Sequence, residues 1–217
     1  MVFSLKAHAA GARVYETNTL AAIDTSGANL LIGFASTWGA SSPTGIQDPR
    51  GNSWVALADQ GSGGTLHGRF YYSIPTSVGS GHVFTYYQSY TTCAFYVAAF
   101  GGASASPLDA QNTAGSTGQT PQPGSVSPAQ DDELIVAAIA TGETTGYSIN
   151  QGFGITDFSL DSSAQVAEAM AYLIQSAKAA VIPAWTLSAS RSAACAIATF
   201  KKGVLTQAPF VFQSFAI

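Results

Sequence analysis

The residues best suited to chemistry are few, and they do not stand in working order. Three histidines, His8, His67 and His82, occupy unrelated contexts, and none has the HExxH spacing that sets two imidazoles on one helix face for zinc. Serine is abundant, yet no GxSxG elbow presents one, and no motif joins a serine to a histidine and a carboxylate. The densest acidic group, Asp131, Asp132 and Glu133, would with Asp109 or Asp48 offer the hard oxygen ligands that calcium takes. Without a DxDxDG pattern it reads as a solvated opening to a strand. No catalytic residue, cofactor or metal site is assigned, and the chain is expected not to be an enzyme.

Aromatic residues are the remaining candidates. Tyr71, Tyr72, Tyr86, Tyr87 and Tyr90 crowd two successive strands, and Trp38 and Trp54 lie on nearby loop borders. Pyranose C–H faces stack on flat rings while neighbouring amides and hydroxyls take directed hydrogen bonds, so Trp38, Trp54, Tyr86, Tyr87 and Tyr90 are candidate glycan-binding residues. The competing reading is structural: a β-sandwich also fills its core with aromatics at alternate positions, which would turn many of these rings inward.

The elements that must position these residues are strands, and they come in two copies. Tyr72 to Phe100 (YSIPTSVGSGHVFTYYQSYTTCAFYVAAF) is echoed from Tyr172 to Phe200 (YLIQSAKAAVIPAWTLSASRSAACAIATF). Ile74 matches Ile174, Phe84-Thr85 matches Trp185-Thr186, and both copies close on a Cys-Ala start to an apolar strand ending in Phe. Upstream, Asn29 to Phe34 matches Glu133 to Ala138, so one β-rich unit is written twice. Each half reads as about five short strands, with His82 to Tyr90 and Thr92 to Phe100 as separate members. Gln165 to Tyr172 has helical propensity, but its alignment with Arg69 to Tyr72 makes it a strand.

Residues 1–202 form one sandwich domain of two repeats, about 15–102 and 125–202, with the low-complexity stretch 103–124 as a link lying across it. Inward residues are expected to include Leu31, Phe34, Phe84, Val97, Phe100, Ile135, Ile139, Trp185 and Phe200. Cys93 and Cys195 hold corresponding places, each an odd number of residues from its closing Phe. Both therefore face away from that Phe, as buried thiols, or as a disulfide if their strands are neighbours. Residues 203–217 have no counterpart in the first half. Their stretch PFVFQSFAI is apolar on both alternating faces, and either adds a strand to this body or docks on another subunit.

Composition narrows the class. Charged residues make up 9% of the chain and the net charge is -4, so hydroxyls, amides and backbone must cover the surface, as in proteins that face the outside or a partner. Eight scattered Lys and Arg make no stripe for nucleic acid. No apolar run approaches the roughly 20 residues that cross a bilayer. The N-terminus MVFSLKAHAAGARVYE lacks the apolar region of a signal peptide, which points to release by lysis rather than export.

At ANLLIGFAS with DPRGNSWVAL, and YYSIPTSVGSGHVFTYY with CAFYVAAFGGASASPLD, the chain resembles poorly characterised β-sandwich proteins of tailed phages and prophages, over about residues 15–202. The shared motifs are turn glycines and strand cores. The resemblance implies a jelly-roll-like sandwich with a virion or cell-surface role, and no catalytic residues to carry over. The expectation is an all-β, antiparallel two-sheet β-sandwich, jelly-roll-like, built from an internal duplication. It would serve as a non-enzymatic virion protein on capsid or tail, binding itself or other virion proteins through edge strands and Phe210, Phe212, Phe215 and Ile217. The alternative is an adhesion module for a cell-surface glycan. Neither reading involves nucleic acid or membrane insertion.

Overall fold

The computed structural model describes residues 1–39, 42–142, 146–159 and 166–204, without the side chain of Tyr90. The first half folds as β1 (Ser4–Thr19), β2 (Leu30–Trp38), β3 (Ile46–Gln47), β4 (Val55–Ser62), β5 (Leu66–Ser73) and β6 (Thr85–Gly101). The second half follows as β7 (Ala103–Gly118), β8 (Glu133–Thr141), β9 (Tyr147–Ile149), β10 (Gly154–Ser159), β11 (Ala167–Gln175), β12 (Trp185–Leu187) and β13 (Arg191–Lys202). All pairing between these strands is antiparallel. The protein is an all-β, two-sheet sandwich, as expected.

Each half builds one sheet. The orders β1-β6-β2-β5-β4 and β10-β11-β8-β13-β7 are the same order read from opposite edges, with β1 matching β7 and β4 matching β10. The sheets face each other across a pseudo-two-fold axis. Tyr72 sets its ring edge against Phe200 at 5.7 Å, and Tyr172 does the same to Phe100 at 5.4 Å.

The stretch 103–124, expected to be a link, is mostly β7, hydrogen-bonded along β13 from Arg191↔Gly118 to Lys202↔Ala103. Its Ser, Thr, Ala and Gly suit an edge strand with much of its length open to solvent. Because β7 matches β1, the structural repeats start at β1 and β7, not near residues 15 and 125. The two strands expected between His82 and Phe100 are the single long β6. Segment 167–175 is the strand β11, as its alignment implied.

Both sheets are buried on both faces. Strand β8 is buried throughout, and β2 is buried up to Trp38. Such strands read as continuous apolar runs, because no face needs to be polar. Three cores result. Phe34, Phe70, Phe100, Leu134, Met170 and Phe200 fill the space between the sheets. Leu31, Phe84 and Val97 lie in a second core on the outer face of the first sheet. Ile135, Ile139 and Trp185 lie in a third, under the β9-β12 ribbon. Of the nine residues expected inward all are buried, but only Phe34, Phe100 and Phe200 point between the sheets. Cys93 and Cys195 do face away from their closing Phe residues, into opposite outer cores, where both are free thiols.

The sheet edges cover one another. Strand β1 runs beside β10 and β4 beside β7. His8 contacts Asp157 at 2.7 Å across the first seam, and the Ala58 N–H donates to Gln111 Oε1 at 2.8 Å across the second. Chain approach at the second seam is close: a Cβ on Gly115 would stand 2.6 Å from the Gly61 carbonyl oxygen. Edge strands thus meet each other within the fold, while β1 and β7 keep much of their length open to solvent.

Two glutamic acids among the described residues, Glu133 and Glu168, are fully buried. Glu133, read as part of a solvated strand opening, is 0% exposed, accepting the Gln130 N–H at 3.1 Å. Burial and nearby Asp109 raise its pKa. Glu168 on β11 sits between the sheets, where Oε2 accepts the Ser36 hydroxyl and Oε1 has no partner among the described residues. Its main-chain carbonyl accepts the Tyr96 hydroxyl at 2.9 Å. Burial raises the Glu168 pKa well above the ordinary 4.5. The folded state therefore holds this proton after the unfolded chain has released it. Stability from Glu168 is fully present below pH 4.5 and falls by about 1.4 kcal/mol per pH unit as pH rises toward the folded pKa. Urea unfolding across this range should show that decline in the native protein and a flatter profile in Glu168→Gln. Parallel profiles would mean that Glu168 ionises normally in the fold.

Candidate functional site

Each histidine meets a carboxylate that lies far from it or out of pattern in sequence. His82 is buried between Thr25 and Asp48: Nδ1 is 2.9 Å from the Thr25 hydroxyl and Nε2 is 2.9 Å from Asp48 Oδ1. The order hydroxyl, imidazole, carboxylate is that of a nucleophilic triad. Thr25, however, is 0% exposed, and its oxygen also accepts the Gly79 N–H at 3.0 Å. Asn52 extends the cluster, donating to Asp48 Oδ2 at 2.8 Å and to the Ser77 carbonyl at 2.9 Å, while its Oδ1 accepts the Thr76 and Ser77 amides. The group staples three loops over the outer core of the first sheet and has no route for a substrate. Sequence reading found the turn at Asp48 to Asn52 but not these contacts, because nothing in local spacing points 25 to 34 residues ahead.

His67 presents the same parts in another order. Its Nδ1 lies 2.9 Å from Asp59 Oδ2, and the Ser42 hydroxyl donates to that same oxygen at 2.6 Å. The serine meets the carboxylate rather than the imidazole, so the hydroxyl–imidazole contact of a Ser-His-Asp triad is not made. Beside it Arg69 and the Tyr71 hydroxyl both donate to the Pro43 carbonyl, and burial pushes the Tyr71 phenol up to about 12.

His8 and Asp157 form the third pair, and this one opens to solvent. The His8 side chain is 40% exposed, against 16% for Asp157. His8 stands in the wall of a groove of about 470 Å³ that enters the β1-β10 seam, with Leu5, Ile155, Tyr172 and Ile174 along it. Gly152 and Gly154 keep its mouth free of side chains. The lining combines an aromatic ring, aliphatic surface and the His8 imidazole, whose Nδ1 contacts Asp157, a mixture that suits an amphipathic small ligand. A second groove of about 470 Å³ opens near the chain ends, lined by Met1, Ile74, Ala103, Ala105 and Val204. Ile74 and Ile174 are repeat counterparts, but the second groove takes no residue from β4, the counterpart of β10, so the two openings are not equivalent.

The five aromatics expected to bind glycan are not brought together. Tyr86 is 0% exposed, and its hydroxyl donates to Gln88 Oε1 at 2.9 Å. Trp54 packs edge-on to Phe84 at 5.9 Å in the outer core, while Trp38 packs against the core between the sheets. Tyr87 is 43% exposed, and the Tyr90 side chain lies outside the described residues. Adjacent strand residues point to opposite faces, which splits Tyr86 from Tyr87. Phe210, Phe212, Phe215 and Ile217 also lie outside the described residues.

Burial raises the Asp157 pKa, and the His8 hydrogen bond and charge pull it back down. An NMR titration of the Asp157 carboxyl should therefore give a pKa above the ordinary value, and one higher still in His8→Ala. An unchanged value in the variant would show that the pair does not form in solution. Against known proteins, no family model, curated protein or solved structure matches the chain.

Proposed function

We propose that the chain is a non-enzymatic structural protein of a tailed-phage particle, exposed on capsid or tail, which assembles through its C-terminal segment. The observation that carries this reading is the distribution of exposed apolar surface. Met1 is 52% exposed, Val2 77%, Ile74 45% and Val204 74%, and Met1, Ile74 and Val204 line the groove from which residues 205–217 depart. Apolar patches of this kind mark contact surfaces. The resemblance to phage sandwich proteins read from the sequence supplies the setting, and the C-terminal segment, with the solvent-open lengths of the edge strands β1 and β7, supplies the contacts. Light scattering should give a defined oligomer for the full chain and a monomer for a chain ending at Lys202. Two monomers would remove the assembly reading.

A second reading, glycan binding, draws on the β1-β10 groove, where Tyr172, His8 and Asp157 stand at one opening. A glycan array should then return at least one ligand, and His8→Ala should weaken it about tenfold, the loss expected of one charge-assisted hydrogen bond. An array without binders would exclude it.

A further inference from the structure

Near the chain ends the backbone polar groups are satisfied, which leaves an apolar groove. The Asn29 amide pairs with the Ala103 backbone in both directions, at 2.8 and 3.0 Å. The Gly203 N–H donates to the Gly102 carbonyl at 2.8 Å, and the Met1 amine donates to the Gly203 carbonyl at 2.9 Å. Beside Asn29, Ser104 and Gly203, the walls are the apolar Met1, Ile74, Ala103, Ala105 and Val204. Residues 205–217, LTQAPFVFQSFAI, start at this wall and contain no charged side chain. Segment and groove are complementary in the simplest sense: each is apolar and each lacks a described cover.

We propose that the groove receives the C-terminal segment of a second copy of this chain, exchanged reciprocally about a two-fold axis, with Phe210 to Phe212 as the inserted stretch. This rests on the assembly reading above and names the acceptor. Two observations favour a second copy over the chain's own segment. Apolar exposure extends past the groove, since Val2 is 77% exposed without lining it. A segment folded back on its own chain would fill the groove and leave Val2 in water, whereas a facing copy covers both. Donor and acceptor also begin at the same place, because Val204 is a wall of the groove. A two-fold axis through that patch then presents each segment to its partner's groove, and the contact closes as a dimer rather than running on as a fibre.

The test uses the full chain, its Ile74→Asp variant and its Phe212→Asp variant. Ile74 is 45% exposed, so a charge there is tolerated by the monomer and penalised only when the groove is covered. Light scattering should give twice the 22.2 kDa chain mass for the native protein and single-chain mass for both variants, with cooperative unfolding retained and midpoints lowered only by the lost dimer contact. A photo-crosslinker at position 212, in a mixture of isotopically heavy and light chains, should join the segment of one chain to the Ile74 region of the other. If Ile74→Asp stays dimeric while the chain ending at Lys202 is monomeric, the segment assembles elsewhere: the groove is the wrong acceptor and the assembly reading survives. Crosslinks confined to single chains would place the segment in its own groove and overturn the exchange, as would a trimer or larger ring. A monomeric full chain would remove both proposals.

Discussion

The constraint on which the fold depends is that its central strands are apolar on both faces. Strands β2, β6, β8 and β13 cannot leave either side to water, so packing one sheet on the other solves only half the problem. Burying an aliphatic or aromatic side chain is worth about 1.5–3 kcal/mol, and roughly half of those on these strands point away from the partner sheet. A second cover on each outer face is therefore obligatory. The second sheet obtains it from the β9-β12 ribbon with Phe153, Val126 and Val181, and the first from loops carrying Leu20, Ile23, Trp54, Val78 and Phe84.

A cover made of loops creates its own demand. Loop backbone has no ladder to satisfy it, and an unmet N–H or C=O in a dry layer costs about as much as the hydrophobic gain from a side chain. Asn52 meets that demand by gripping residues 76 and 77, Thr25 meets it at Gly79, and Arg50 donates to the carbonyls of Val78 and Ser80. His82 stacks on Phe84 at 4.1 Å while bridging Thr25 and Asp48. The grouping that most resembles catalytic machinery is thus the means by which a loop layer stays shut. Its burial, which would deny a substrate entry, is what makes it useful as a staple.

How much was legible follows from which forces are local. The repeat was legible because matching positions carry matching jobs: Tyr72 and Tyr172 each lean on the closing Phe of the other half. Strand character in Ala167 to Gln175 was legible for the same reason, against its helical propensity. Strand β7 was not, since an edge strand of small polar residues has the composition of a linker, and only its pairing to β13 distinguishes them. The direction of Leu31, Val97, Ile135 and Ile139 was hidden because a two-face-buried strand has no alternation to read. Of the candidate sites, the contacts of His8, His67 and His82 were illegible, as each depends on strands or loops meeting in space.

Duplication also fixes where an interaction surface can lie. Two like sheets stacked about a pseudo-two-fold axis cover each other's edges, and two outer layers cover their backs. Broad faces are then largely covered, and the symmetry is imperfect at the seams and at the repeat ends. The two seams, equivalent by descent, have diverged: Gly115 lets β4 and β7 close tightly, while His8 and Asp157 hold β1 and β10 at a charged rim above a groove. The ends of the two repeats diverge as well, because β6 runs through Gly102 into β7, whereas β13 is followed by residues 203–217, whose sequence has no counterpart in the first half. The first repeat hands its continuation to the second sheet, and the second repeat finds β1 already in the matching position beside β6.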